Sequence, residues 1–232
     1  MKTHLKSHYD SYSEERFNKA DIATYYFVSG TSTDQSRNAT EFYRTLVECA
    51  EDQPELRARL ERAKVFHVGF ENGPAPSEPE WGDPLEAVGL RMLHQLLGPE
   101  LSFDEVVRNY YPPWPYEIFH LVAKHEGGVR HQEFTGVLVV DGLQRFLQSG
   151  EYGKKKEFLF NNALNNIAAL ALDRAAGFII TCCTATITPA MEEFFALSRR
   201  HRVFLPVGSL DPQASENGHI VTPVLGDDRQ GN

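Results

Sequence analysis

The chain has 232 residues, of which 41% are hydrophobic and 24% charged, and this predicts a soluble globular domain. Its formal net charge of −9 argues against nucleic acid as a partner of the domain. The three cysteines, Cys49, Cys182 and Cys183, lack zinc-binding spacing and favour a reduced, intracellular setting. Asp173 and Arg174 interrupt the longest apolar stretch, so no membrane span is predicted.

Residues 1–22 are polar and lack the apolar segment of a signal peptide, so we expect an N-terminal extension without a visible secretion signal. The alternating apolar and amphipathic segments occupy residues 23–210, which we expect to form the folded domain. Residues 211–232 are polar, and we expect a flexible C-terminal tail.

Apolar runs alternate with segments of helical periodicity along the chain. In chain order, the sequence predicts a strand over 23–29, a helix over 36–51, a helix over 56–63, a strand over 64–70, a loop over 72–84, a helix over 85–97, a long loop over 98–116, a strand over 137–141, a helix over 153–174, a strand over 177–181, a helix over 189–200 and a strand over 202–207.

This alternation predicts an α/β fold of three layers, with a mainly parallel sheet of about five strands and helices on both faces. A strand, a loop and a helix are followed by a strand, a strand that ends in Asp141, a strand that ends in Thr181 and a last strand. This succession is typical of a P-loop NTPase core with strand order 5-1-4-3-2. Ligands of such sheets bind beyond the carboxyl ends of the strands.

The first strand runs into a turn that stands where a Walker A phosphate loop would stand. Such a loop uses backbone N–H groups and a lysine to hold phosphates, and a hydroxyl to hold magnesium. Ser36 occupies the position of that hydroxyl. The candidate nucleotide-binding residues are Ser29, Gly30, Thr31, Ser32, Thr33, Asp34, Gln35, Ser36 and Arg37.

The loop departs from the Walker A pattern at two positions, because Asp34 replaces the last glycine and Gln35 replaces the lysine. A carboxylate close to a triphosphate in a partly dry site costs several kcal/mol. The alternative interpretation is an ordinary turn from strand to helix in which Asp34 caps the helix.

The segment Val137-Leu-Val-Val-Asp141 is typical of a Walker B strand, whose terminal aspartate holds magnesium. Buried strands that end in aspartate are also common, so the pattern alone is weak. Gly142 follows where many ATPases carry a catalytic glutamate, and Gln144 is the residue available to align a water molecule.

The predicted strand over 177–181 ends at Thr181, where related ATPases place a polar residue that contacts the γ-phosphate or the attacking water. A plain buried strand that ends in threonine is the alternative. Arg199, Arg200 and Arg202 are candidate arginine fingers, although a solvated basic helix end explains them as well.

The segment that contains Tyr110, Tyr111, Trp114 and Tyr116 is rich in proline and aromatic residues. Its rings could stack on a base, or they could anchor a proline-rich loop. The sequence leaves both interpretations open.

Together, the segments YYFVSGTSTDQSRNATEF, FHVGFENG, VLVVDGLQ, FIITCCTAT and RVFLPVGSLDP resemble the P-loop NTPase-like domain of Crinkler effectors from filamentous plant pathogens. More remotely, they are similar to the retrotransposon hot spot proteins. The resemblance covers residues 20 to 212. It implies a secreted protein that acts on host proteins inside the host cell, with the nucleus as one site of action. The N-terminal translocation header of that family is not visible here.

The resemblance and the altered loop together favour a degenerate NTPase module with weak or no ATP hydrolysis. Two alternatives remain. The first is an active ATPase or GTPase that binds Mg-ATP or Mg-GTP, with magnesium on Ser36 and Asp141 and with Thr181 and Gln144 as further catalytic candidates. The second is a pseudo-NTPase that serves as an interaction or regulatory scaffold.

Overall fold

A computed structural model describes residues 1–16, 18–29, 35–70, 83–125, 133–147, 153–186, 195 and 200–207. The described helices are α1 (Lys2–Ser13), α2 (Gln35–Cys49), α3 (Pro54–Glu61), α4 (Pro84–Leu97), α5 (Phe103–Asn109), α6 (Pro115–His125) and α7 (Gly153–Leu170). The described strands are β1 (Thr24–Ser29), β2 (Lys64–Gly69), β3 (Thr135–Asp141), β4 (Phe178–Thr186) and β5 (Arg202–Leu205).

The strands form one parallel sheet in the order β2-β3-β4-β1-β5. Read from β5 to β2, this is the predicted order 5-1-4-3-2. The predicted α/β architecture and strand order are therefore confirmed. A parallel sheet needs helical crossovers that cover both of its faces. Because all five strands are parallel, their carboxyl ends lie along the same side of the sheet, here called the carboxyl edge.

Helices cover both faces of the sheet, and the strand residues alternate between two cores. Helices α1, α2 and α3 pack on one face, here called the α2 face, where Val139 and Cys182 contribute from the central strands. Helices α4, α6 and α7 pack on the other face, here called the α7 face, where Val140 and Cys183 contribute. The central strand β3 is buried along its whole length.

The structure differs from the predicted elements at several places. Helix α1 forms within the polar N-terminal segment, where no helix is predicted, because the few apolar residues of that segment share one buried side. The predicted loop over 98–116 contains α5, which begins at a capping box of Ser102 and Glu105, and α6 follows it. Strand β4 continues five residues beyond Thr181.

Several predicted segments lie outside the described residues. They are most of the loop over 72–84, the helix over 189–200 apart from Phe195 and Arg200, and the C-terminal tail. In the part of the chain that the structure describes, no helix is long and apolar enough to cross a membrane.

Helix α1 closes the α2 face near the amino ends of the strands. Leu5 and Tyr9 are buried there, and His8 packs edge-on against Phe178, with 5.0 Å between the ring centroids. His8 also bonds to the backbone of Ala171, but its burial lowers its pKa to about 4. Neutral His8 is therefore part of the folded core.

The burial of His8 predicts that the free energy of unfolding decreases as the pH is lowered. The folded-state pKa lies below the unfolded value of 6.5, so the unfolded chain binds the extra proton first. Stability should decrease as pH falls from about 6.5 towards 4, by on the order of 3 kcal/mol. Urea denaturation of the wild type and of His8→Gln between pH 7 and 4 measures this loss.

The matched control is His125→Gln, because His125 is exposed at the end of α6. It should keep the pH dependence of the wild type, whereas His8→Gln should flatten it. An unchanged slope in His8→Gln would contradict this role for His8.

Candidate functional site

Asp141 is the last residue of β3, and its side chain is only 3% exposed. Its carbonyl oxygen accepts a hydrogen bond of 2.8 Å from the N–H of Phe70, the residue that follows β2. This bond fixes the ends of the two neighbouring strands together. The predicted strand with a terminal aspartate is therefore present, and the carboxylate lies at the carboxyl edge of the sheet.

Thr184 of β4 holds this carboxylate in place. Val140 lies opposite Cys183 in the β3–β4 register, so Asp141 is level with Thr184. The Thr184 hydroxyl donates a short hydrogen bond to Oδ1 of Asp141 and accepts one of 3.0 Å from the N–H of Gly142. One buried hydroxyl thus fixes both the carboxylate and the first residue of the turn that follows β3.

Gly142 allows this turn, because its φ of 81° lies in the left-handed region that favours glycine. The turn continues into a short 3-10 helix, Leu143–Leu147, which contains Gln144. Gln144 is 1% exposed. The structure therefore places Gln144 three residues beyond Asp141 in a buried turn.

The carboxylate of Asp141 is buried without a nearby cation in the described residues, since none of the observed ion pairs involves it. A buried carboxylate costs several kcal/mol unless it is paired or coordinates a metal. Thr184 supplies a single hydrogen bond. A cation bound beside Asp141 would offset this cost.

Helix α2 begins at the same edge of the sheet. Ser29, the last residue of β1, is in register with Thr186 of β4, and α2 begins six residues later at Gln35 and packs across β3 and β4. Ser36 is partly buried in the first turn of α2, where its carbonyl accepts a hydrogen bond from Thr40. The N-terminus of a helix favours anions.

The predicted phosphate-loop residues are only partly described. Gly30, Thr31, Ser32, Thr33 and Asp34 lie outside the described residues, as do the side chains of Ser29 and Gln35. Arg37 is exposed in the first turn of α2. The end of β1 and the beginning of α2, which flank the predicted loop in the sequence, lie at the edge of the sheet that carries Asp141.

Thr181 does not lie at the end of its strand, so the predicted strand-end position is wrong. Thr181 is the fourth residue of β4 and is level with Leu138, about 10 Å along the sheet from Asp141. By alternation its side chain belongs to the α7 face, whereas Asp141 and Thr184 belong to the α2 face. Its buried hydroxyl forms no hydrogen bond within the described structure.

Sequence reasoning missed Thr184 because the strand was expected to end at its first polar residue. The signal that could have found Thr184 is the β-branched, small continuation Cys182-Cys-Thr-Ala-Thr186, which suits a buried strand.

The arginine candidates lie at the other end of the sheet or outside the described residues. Arg202 is paired with Thr24, at the beginning of β1, and its guanidinium lies 5.2 Å from the ring centroid of Phe195. Arg200 is partly buried near the same end, and Arg199 lies outside the described residues. The described arginines therefore do not reach Asp141 in this arrangement.

A buried arginine that the sequence did not single out is Arg91 of α4. It is 5% exposed, and its guanidinium lies 4.5 Å from the ring centroids of both Phe70 and Phe103. Phe70 follows β2, so Arg91 reinforces the carboxyl end of that strand from the α7 face. Cation–π contacts of this kind hold an arginine between rings.

The adjacent cysteines of β4 are not reactive nucleophiles. Cys182 and Cys183 are free and fully buried, and burial raises the pKa of Cys183 to about 12. The pKa of Cys182 is also raised, first by burial and then by the neighbouring Cys183. Neither thiol ionises at neutral pH.

No group of three potential metal ligands among His, Cys, Asp and Glu occurs in the described part of the chain. Magnesium needs no such cage, because it is commonly held by one or two carboxylates together with substrate phosphates and water. The Asp141 carboxylate and the Ser36 hydroxyl have the oxygen chemistry for that role.

Comparison with known proteins supports a relation to the Crinkler effectors. The chain is 26% identical to Crinkler effector protein 108 from Phytophthora sojae, over an alignment of 229 positions that covers 95% of the chain. It spans 27% of the length of that curated relative. No family model matches the chain.

The bridging role of Thr184 predicts a clear effect of its hydroxyl on stability. Thr184→Val should destabilise the fold by about 1–3 kcal/mol, because it leaves the Gly142 N–H and the Asp141 carboxylate without their partner. Thr184→Ser keeps the hydroxyl and should cost less. Urea denaturation of both variants measures the difference.

Pairing Thr184→Val with Asp141→Asn completes the test. The loss caused by the valine should shrink when the carboxylate is already neutral, and a double-mutant cycle measures this coupling. If valine and serine were equally tolerated, or if the cycle showed no coupling, the bridge would not hold Asp141 in solution.

Proposed function

We propose that this chain is the module of a Crinkler-type effector that carries a degenerate nucleotide site at the carboxyl edge of its sheet. The module binds Mg-nucleotide weakly and hydrolyses it slowly or not at all. The observation that carries the proposal is the buried Asp141 carboxylate, which accepts a hydrogen bond from the Thr184 hydroxyl, while that hydroxyl accepts one from the N–H of Gly142.

Three features support a nucleotide at this edge. The strand order β2-β3-β4-β1-β5 brings the end of β3 and the end of β1 to either side of β4. A cation beside the buried Asp141 carboxylate would offset the cost of removing that carboxylate from water. Helix α2 begins at the same edge, where its backbone N–H groups favour a phosphate.

The residues have distinct roles in this proposal. The carboxylate of Asp141 and the hydroxyl of Ser36 would hold magnesium, which neutralises phosphate charge when it is bound. Thr184 positions Asp141 and takes the place that the sequence assigned to Thr181. Residues Gly30–Gln35 would supply backbone N–H groups to the phosphates.

The weakness of the site follows from its sequence. Asp34 adds negative charge where phosphate charge must be accommodated, and Gln35 offers a donor without the positive charge of lysine. Gly142 follows Asp141, so no carboxylate at that position can activate water. Gln144 can orient a water molecule but is a poor base.

Two further parts of the proposal rest on the relative and on the resemblance. The printed name of the relative describes an effector. We extend this to the present chain as secretion and action on a host protein inside the host cell, including its nucleus. An interaction scaffold that has lost nucleotide binding is the second candidate, and the exposed aromatic segment described below favours it.

Calorimetry with Mg-ATP and Mg-GTP tests the nucleotide site. The wild type should bind with an affinity in the high micromolar to millimolar range, about −5 kcal/mol, and should release little phosphate. The double reversion Asp34→Gly/Gln35→Lys should raise the affinity at least tenfold, because it removes one repulsive charge and adds one attractive charge. Asp141→Ala should abolish binding in the revertant.

A matched control distinguishes an effect of the loop residues on nucleotide affinity from an effect of the net charge of the protein. Asp52→Gly/Gln53→Lys changes the charge by the same amount at the junction of α2 and α3, at the far end of α2. It should leave nucleotide affinity unchanged. Fast turnover by the wild type would refute the degenerate site, and a revertant that binds no better than the wild type would favour the scaffold.

A further inference from the structure

Four aromatic side chains are exposed on the surface between the end of α5 and the first turn of α6. Tyr110, Tyr111, Trp114 and Tyr116 are 41%, 86%, 38% and 39% exposed. Together they form what is here called the aromatic segment, residues 110–116. Exposed tyrosine and tryptophan at such density are typical of contact surfaces, because both residues are enriched among binding hot spots.

The backbone of the aromatic segment is held firmly against the fold. The carbonyl oxygen of Pro113 lies so close to Gly89 of α4 that an added Cβ would stand 1.7 Å from it. The N–H of Trp114 donates a 2.7 Å hydrogen bond to the carboxylate of Glu117, and its carbonyl accepts bonds from Glu117 and Ile118. The exposed rings are therefore presented by a fixed backbone, which lowers the entropic cost of binding.

Two of the rings stand almost at right angles. The ring centroids of Trp114 and Tyr116 are 5.9 Å apart, with an angle of 79° between the planes. Tyr116 in turn contacts His120, with 6.2 Å between the centroids. This edge-to-face contact fixes the two rings relative to each other, and the exposed face of an aromatic ring attracts a cation.

Carboxylates adjoin these rings. Glu86 of α4 accepts a hydrogen bond from the side chain of Trp114, and Asp83 is close enough to Glu86 to raise its pKa in addition to the larger effect of burial. Glu117 binds the backbone of Trp114. The nearby Arg108 points its Nε back to the carbonyl of Asp104. The surface beside the indole is therefore acidic, on a chain whose net charge is −9.

We propose that the aromatic segment is a docking surface for an extended segment of a partner protein that carries arginine or lysine. The aromatic faces bind the cationic side chains, and the carboxylates of Glu86 and Glu117 complement their charge. Nucleic acid and anionic membranes are disfavoured by the same carboxylates. This surface lies on the α7 face, whereas Asp141 and Thr184 belong to the α2 face.

Titration of the 15N-labelled full chain with acetylated tetra-arginine amide tests the proposal. The indole N–H signal of Trp114, assigned by Trp114→Phe, should shift in a saturable manner. Tetra-glutamate and tetra-proline should leave it unshifted. Tyr111→Ala/Tyr116→Ala should weaken tetra-arginine binding about tenfold, because two ring faces are removed.

Two matched controls measure how far tetra-arginine affinity depends on the aromatic rings and on the neighbouring carboxylates. Phe158→Ala removes another exposed ring, from α7, and should leave the affinity unchanged. Glu86→Gln/Glu117→Gln keeps the hydrogen-bond acceptors and should weaken binding severalfold, whereas Glu48→Gln/Glu61→Gln on α2 and α3 changes the net charge equally and should not.

Three outcomes would overturn the proposal. The first is a Trp114 signal that does not shift with tetra-arginine. The second is equal binding of tetra-arginine to the aromatic and control variants, which would indicate attraction by net charge alone. The third is binding of tetra-proline in its place, which would identify a proline-rich partner. Circular dichroism of each variant establishes that the fold is retained.

Discussion

The register between β3 and β4 is the constraint on which the candidate site depends. Because Val140 lies opposite Cys183, Asp141 and Thr184 stand side by side on the α2 face, and the threonine hydroxyl reaches both the carboxylate and the N–H of Gly142. A shift of one residue would turn one partner to the opposite face. The sheet therefore sets the position of a buried carboxylate that no single segment could fix.

The same sheet explains how the ends of separate segments meet. In a parallel sheet every carboxyl end lies at one edge, and the order β2-β3-β4-β1-β5 places β4 between β3 and β1. Asp141 and the beginning of α2 are brought together by topology. The arginine Arg202 is kept away by the same geometry, because it is paired with the first residue of β1.

Much of this fold could be predicted from the sequence, since apolar runs alternating with amphipathic segments imply a parallel sheet and its crossovers. The strand order followed from the likeness of the succession of segments to a P-loop NTPase core, and the position of Asp141 followed from the end of an apolar run. The position of Thr181 did not, because a threonine suits the middle of a buried strand as well as its end. Helix α1 was missed because its few apolar residues become significant only when Phe178 and the α2 face are there to cover them.

The Asp141 site and the proposed docking surface lie on different parts of the same α/β fold. At the carboxyl edge, a buried charge is tolerated where Thr184 satisfies part of it. On the α7 face, Gly89 lets the backbone of Pro113 approach α4 closely, and aromatic rings are left in the solvent. Loss of catalytic groups in the loop would leave such a surface intact, because the contacts that hold it involve α4 and α6 rather than α2.

The most direct test of the central claim is the location of amide shifts when the 15N-labelled chain is titrated with millimolar Mg-ADP. We expect the amides of Ser36, Gly142 and Thr184 to shift together, while those of Thr24 and Arg202 at the other end of the sheet remain unchanged. Shifts concentrated at Thr24 and Arg202, or an absence of shifts at Gly142 and Thr184, would contradict it.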